Sequence, residues 1–214
     1  MSPRSSGPTR RTHEERREDS AERLREALVE LICEQGYSAT TNAQIGERAG
    51  FSRNMVRDRY GSKDALLLDL VGQTFETFVP EERTPDEDGR ARAARIVDLI
   101  RHLAETAPSL HRALNIVLLE GAAGSDPAAL ATRAAVVRLS EVMAEALAGG
   151  VADGSVSADV DLEVELVLVR TRLAGLAFLD AAGLLAGPTA DRIDGVRAAF
   201  DARLAPTGDV DGPG

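Results

Sequence analysis

Apolar residues recur along most of this chain at helical spacing. Leu24, Leu28, Leu31 and Ile32 fall at i, i+4, i+7 and i+8, which predicts a first helix over about 20–35. Gly36 follows where a helix end favours a left-handed residue, and Cys33, beside the apolar face, reads as a small core residue. Thr41-Asn42-Ala43-Gln44 has the spacing of a capping box and predicts a short second helix, about 42–49, with Ile45 and Ala49 inward. Gly50 ends it. Ser52 is expected to cap a third helix, about 53–60, with Met55, Val56 and Tyr60 inward. Gly61-Ser62 repeats the stop and the cap, and a fourth helix runs from Lys63 to about Phe78.

The same period continues beyond an acidic loop, PEERTPDEDG, at 80–89. Ile96, Leu99, Ile100 and Leu103 mark a fifth helix, about 90–106. Pro108 opens a sixth, about 108–121, with Leu110, Leu114, Val117 and Leu118 in register. A seventh, about 127–149, carries Leu130, Val136, Val137, Leu139, Met143 and Leu147. GGVADGSVSADVD reads as a loop, followed by a long eighth helix over 160–186. The ninth, about 189–204, places Ile193, Val196, Phe200 and Leu204 on one stripe. No run of alternating β-branched residues stands out, so the expected class is all-α with about nine helices.

Composition narrows this picture. The 214 residues are 43% hydrophobic but only 3% aromatic, with no Trp, so the core is built from Leu, Val, Ile and Ala. A single cysteine excludes an internal disulfide and fits a reducing compartment. The N-terminus lacks the apolar segment of a signal peptide. The most apolar stretch, 162–187, is interrupted by Glu163, Glu165, Arg170, Arg172 and Asp180, which argues against a membrane span. The expected location is the cytoplasm, with no membrane partner.

Charge is unevenly spread. The formal net charge is −10, yet residues 1–63 hold 12 Lys+Arg against 10 Asp+Glu, and the remainder 13 against 25. Within this acidic chain ERAGFSRNMVRDRYGSKDAL, residues 47–66, gathers Arg53, Arg57, Arg59 and Lys63. The segment is the second half of a helix, tight turn, helix, which projects its last helix toward a major groove. Arg53, Asn54 and Arg57 lie at the start of that helix. Arg suits a guanine edge and Asn an adenine edge through paired hydrogen bonds. Thr41, Ser52, Arg59 and Lys63 sit at helix starts or flanks, where they are expected to hold phosphate oxygens. Asp58 could orient a neighbouring Arg or accept from a cytosine amino group. Arg10-Arg11 reads either as a solvated tail or as an arm that brushes DNA.

Residues 27–71 resemble the DNA-binding region of the tetracycline-repressor (TetR) family. Gly36-Tyr37, Thr40-Thr41, Ile45, Ala49-Gly50, Ser52, Tyr60, Gly61-Ser62-Lys63 and Leu66 occur in order and at the family's spacing. The resemblance implies a homodimeric transcriptional regulator, usually a repressor, that leaves its operator when a small molecule occupies the C-terminal domain. Asn54, Arg57 and Tyr60 depart from the family's usual small residue, Tyr and Phe, and the first two point to an unusual operator preference. The expected domains are a flexible arm at 1–19, a helix-turn-helix DNA-binding domain at 20–66, an effector-binding and dimerisation domain at 67–204, and a disordered tail at 205–214.

An effector pocket, by the same resemblance, lies among helices 4 to 8. Its candidate lining is Phe75, Phe78, Leu99, His102, Leu114, Val117, Leu118, Val136, Leu139, Met143 and Arg170. Small residues on an eighth helix that is apolar on several faces permit close helix approach. With helix 9 they suit an isologous four-helix interface, and the candidates are Leu173, Leu176, Ala177, Asp180, Ile193, Val196 and Phe200. No cofactor is expected, since His13, His102 and His111 lack metal-ligand spacing. No P-loop, dinucleotide fingerprint or nucleophile elbow supports an enzyme. The alternatives left open are a DNA-binding dimer without an effector pocket and an α-helical enzyme.

Overall fold

The computed structural model describes residues 13–78, 86–121 and 127–206. Among them are nine helices and no strand: α1 His13–Gln35, α2 Asn42–Arg48, α3 Met55–Tyr60, α4 Lys63–Phe78, α5 Gly89–Thr106, α6 Pro108–Glu120, α7 Pro127–Asp153, α8 Leu162–Ala181 and α9 Thr189–Leu204. Arg10, Arg11, residues 80–85 and most of the expected C-terminal tail lie outside the described residues.

Several boundaries differ from expectation. The expected arm at 1–19 is helical from His13 onward. Glu18, on the extra turns, accepts from the buried Arg25 at 2.7 Å, and Asp69 of α4 holds the same guanidinium at 2.9 Å. The Arg25 guanidinium draws the Glu18 carboxyl below its usual range, its hydrogen bond first among the causes. α7 runs on through Gly149 and Gly150 to Asp153, where a loop was expected. A Cβ on Gly89 would lie 2.1 Å from the Gly150 nitrogen, so these glycines permit close crossing of α5 over α7. α8 ends at Ala181, five residues early. Gly183 is left-handed there, and the Leu184 N–H donates to Leu179 O at 2.8 Å, closing the helix as a Schellman turn.

Two cores result. The first joins α1 to α4 through Leu24, Leu28, Ile32, Ile45, Val56, Leu66 and Leu67, and takes in Ala113 and Val117 of α6. The second joins α5, α7, α8 and α9 through Val97, Leu147, Val169, Ile193, Phe200 and Leu204. α4 and α6 therefore link the N-terminal helices to the rest. Fully burying each large apolar side chain contributes about 1.5–3 kcal/mol.

Candidate functional site

The helix-turn-helix unit is α2, the turn 49–54 and α3. Its start is the expected capping box: the Gln44 N–H donates to Thr41 Oγ1 at 3.3 Å and the Thr41 N–H to Gln44 Oε1 at 2.9 Å. The turn folds tightly onto α2. The Phe51 N–H donates to Gly46 O at 2.8 Å, and a Cβ on Gly46 would lie 2.4 Å from Ser52 O. Arg23 of α1 locks the turn from behind, donating to Ala49 O at 2.5 Å with its guanidinium 4.5 Å from the Phe51 ring centre.

Ser52 does not cap α3. The Met55 N–H bonds the Ser52 carbonyl at 3.0 Å, and the helix starts two residues later than expected. Arg53 and Asn54 consequently occupy the turn itself. Val56 is buried, and Met55 and Tyr60 pack against the first core, as the spacing predicted. This leaves Ser52, Arg53, Asn54, Arg57 and Asp58 exposed in a continuous run around α3, and Thr41 exposed at the start of α2. Arg53 lies 3.0 Å from Glu47, an exposed pair that costs little to exchange for a phosphate or a base edge.

Two expected phosphate contacts are otherwise engaged. Arg59 is half-buried and donates to Ser20 Oγ at 2.6 Å. Lys63 Nζ donates to the carbonyls of Tyr37 and Thr40 at 2.7 and 2.8 Å and lies 4.2 Å from the Tyr37 ring centre. Both cations brace the unit because carbonyl and hydroxyl acceptors lie within reach. The spacing gave no sign of Arg23, whose acceptor is 26 residues away.

Between α5, α6, α7, α8 and α9 lies a cavity of about 490 Å³, and a smaller one of about 170 Å³ adjoins it toward α4. Ile100, His111, Asn115, Leu118, Val136 and Leu139 border both. Of the expected lining, Leu118, Val136 and Leu139 face both spaces, Met143 and Arg170 the larger, and Phe75, Leu99 and Leu114 the smaller. Val117 is instead packed into the first core, and His102 is exposed on α5. The Phe78 side chain lies outside the described residues.

The polar end of the cavity was not foreseen. His111 is only 7% exposed, and the Asn115 amide nitrogen lies 3.3 and 3.4 Å from its two ring nitrogens. Asp180 Oδ2 stands 3.8 Å from Nδ1, and Asp180 Oδ1 accepts from the Thr189 hydroxyl at 2.9 Å. Burial pushes the His111 pKa below its ordinary value, which Asp180 partly opposes, so the ring is neutral at pH 7. His111, Asn115 and Leu118 are spaced i, i+4, i+7, a stripe that the apolar pattern of α6 alone overlooks.

The expected interface residues are largely internal. Ile193, Val196 and Phe200 are buried in the second core, Leu173 and Leu176 pack against it, Ala177 lines the cavity, and Asp180 serves His111 and Thr189. A strongly apolar stripe finds its own chain's core first. The exposed side of α8 carries Val164, Val167 and Phe178, at 47%, 56% and 53% exposure, Val167 also bordering the larger cavity.

Among the described residues, no cluster of His, Cys, Asp and Glu could hold a metal ion, and no helix is long and apolar enough to cross a membrane. Residues 24–70 match the bacterial regulatory proteins of the tetR family. No curated protein matches the sequence. Among solved structures, the fold is similar to a TetR-family transcriptional regulator from Agrobacterium tumefaciens, at 17% identity and a TM-score of 0.70, over 88% of this chain and 98% of that one. It is similar to SmeT, the repressor of the Stenotrophomonas maltophilia multidrug efflux pump SmeDEF, at 19% identity and 0.69, over 89% and 94%. It is also similar to a protein from Saccharomonospora viridis solved in complex with choline, at 20% identity and 0.69, over 88% and 98%. Residues 24–70 thus match the tetR family and are braced as a helix-turn-helix, and the remaining helices continue a fold similar to that of solved TetR-family regulators.

Proposed function

We propose that the protein represses transcription as a homodimer on a two-fold operator and is released when a small molecule fills the cavity between α5 and α8. The carrying observation for DNA is the split among basic groups. Arg25, Arg48, Arg59 and Lys63 are held by neighbouring groups of the chain, whereas Arg57 is exposed beside Arg53 and Asn54. Base readout falls to these three residues, and Thr41 and Ser52 supply phosphate contacts.

Dimerisation uses the exposed stripe Val164, Val167 and Phe178 on α8, with small residues Ala174 and Gly175, also exposed, permitting close approach of the partner helix. Two-fold pairing sets the recognition helices about 34–36 Å apart, or a multiple of that. The effector has a mostly apolar body, to match the cavity wall, and one hydrogen-bonding group for His111 and Asn115. SmeT is a repressor and the S. viridis protein holds choline, so this fold supports both halves of the reading.

The test begins with selection of binding sites from random duplexes. Recovered sites are expected to be inverted repeats, bound by two copies of the chain. Phe178→Asp is expected to yield a folded single copy with weaker binding. A small-molecule screen by thermal shift follows, and a true effector both stabilises the protein and releases the duplex. Absence of any selected sequence refutes base readout. Stabilising molecules that leave the duplex bound refute the effector mechanism.

A further inference from the structure

Glu120 ends α6, where unpaired carbonyls make a negative side chain unfavourable. Glu120 is exposed, yet both its carboxylate oxygens accept hydrogen bonds, and the donors are in the DNA-binding half of the chain. Oε1 accepts from the Tyr37 N–H at 3.1 Å, and Oε2 accepts from the Ser38 N–H at 2.8 Å and the Ser38 hydroxyl at 2.7 Å. Bonds from two successive N–H groups to one carboxylate are charge-assisted and fix its orientation. The approach is so close that a Cβ on Gly36 would lie 2.3 Å from Oε1.

The loop gripped in this way leads directly into the helix-turn-helix. Thr40 Oγ1 donates to Gly36 O at 2.7 Å, and Thr41 caps α2. α4 holds the loop on another side, through Lys63 on the Tyr37 and Thr40 carbonyls and Asp64 on the Tyr37 hydroxyl. α6 itself has two faces. Ala113 and Val117 are packed in the first core, while His111, Asn115 and Leu118 wall the cavity. From His111 to Glu120 is nine residues, about 13.5 Å of helix. A helix seated in a close-packed core moves as a body, so displacement at the cavity wall is carried to its end.

We propose that Glu120 is a positioning residue for DNA binding: it ties the start of α2 to α6, so that filling the cavity changes how α3 is presented. The biological sense of this rests on the cavity being the effector site, but the test needs no effector. In the full-length chain, Leu118→Trp overfills the cavity wall on α6, and Asn115→Met does so more gently should the first variant fail to fold. Each is combined with Glu120→Ala and Glu120→Gln.

Binding to the selected duplex and amide exchange at residues 37–48 are the readouts. Overfilling is expected to weaken binding about tenfold when Glu120 is present, within the range of known couplings, and to raise exchange at Tyr37 and Ser38. With Glu120→Ala both responses are lost, and Glu120→Gln, which keeps one acceptor oxygen, restores part of them. A merely structural glutamate gives additive effects, with overfilling equally damaging in every background. Additivity overturns the proposal. If the wild-type chain selects no duplex, the proposed function fails, and the exchange readout alone decides this inference by the same criterion.

Discussion

Arg203 of α9 grips the Glu165 carboxylate of α8, with Nε 2.7 and 2.8 Å from its two oxygens, although Glu165 is only 3% exposed. A buried carboxylate loses most of its hydration, and this guanidinium replaces it. The pair fixes α8 against α9 and so orients the outward stripe proposed to meet a second subunit. Arg203→Ala is expected to lower the melting temperature, because it strands the charge. The double variant Arg203→Ala with Glu165→Leu is expected to recover most of the loss, since an apolar side chain needs no partner. A scanning thermal melt of the three proteins checks this.

Gly46 carries the tightest approach in the helix-turn-helix, facing a backbone oxygen that cannot rotate away. Gly46→Ala is expected to cost about 1–3 kcal/mol in a urea titration, the range for inserting a methyl into a packed site. Duplex binding should fall further than stability does, because the turn that presents Arg53 and Asn54 is displaced.

Arg57 and Lys63 separate readout from bracing. Arg57→Ala should weaken binding and relax selection at one or two positions per half-site, about 1–3 kcal/mol for a bidentate contact, with the melting temperature unchanged. Lys63→Met should lower stability by about 1–2 kcal/mol, since its ammonium satisfies two carbonyls. The slope of log affinity against log salt should change little for Lys63→Met. A slope reduced by about one would return Lys63 to the phosphate contacts expected from its spacing.

His111 predicts a pH dependence of stability. Its folded pKa is held below the ordinary 6.5 by burial, against the pull of Asp180, with Asn115 facing the ring from its own helix and Arg112 lying in the cleft that Asp180 borders. As pH falls through about 6.5 the unfolded chain takes up a proton that the folded chain refuses, so stability drops until the folded pKa is reached. Above 6.5 this contribution is fully present. His111→Gln is expected to flatten that part of a urea-midpoint profile between pH 5 and 7.5. Asp180→Asn removes the opposing charge and should extend the drop to lower pH.

Local chemistry carried much of this protein into view before any coordinates. α4 and α9 have the bounds their apolar spacing predicts, and the capping box of α2 forms as written, because periodicity and caps involve residues three or four apart. Arg53, Asn54 and Arg57 are exposed, but the first two lie in the turn rather than on the helix where their spacing put them. Tertiary structure decided what the remaining groups touch. Gly150 is a helix-crossing residue because α5 lies across it, and Lys63 is a brace because the Tyr37 and Thr40 carbonyls end nearby. Ile193, Val196 and Phe200 are buried in the second core because α5 and α8 cover them within one chain. An apolar stripe states that it will be buried, but only the folded arrangement of distant helices states against what. His111 and Glu120 are the same lesson in polar form: their partners are up to 83 residues away, and no local rule reaches that far.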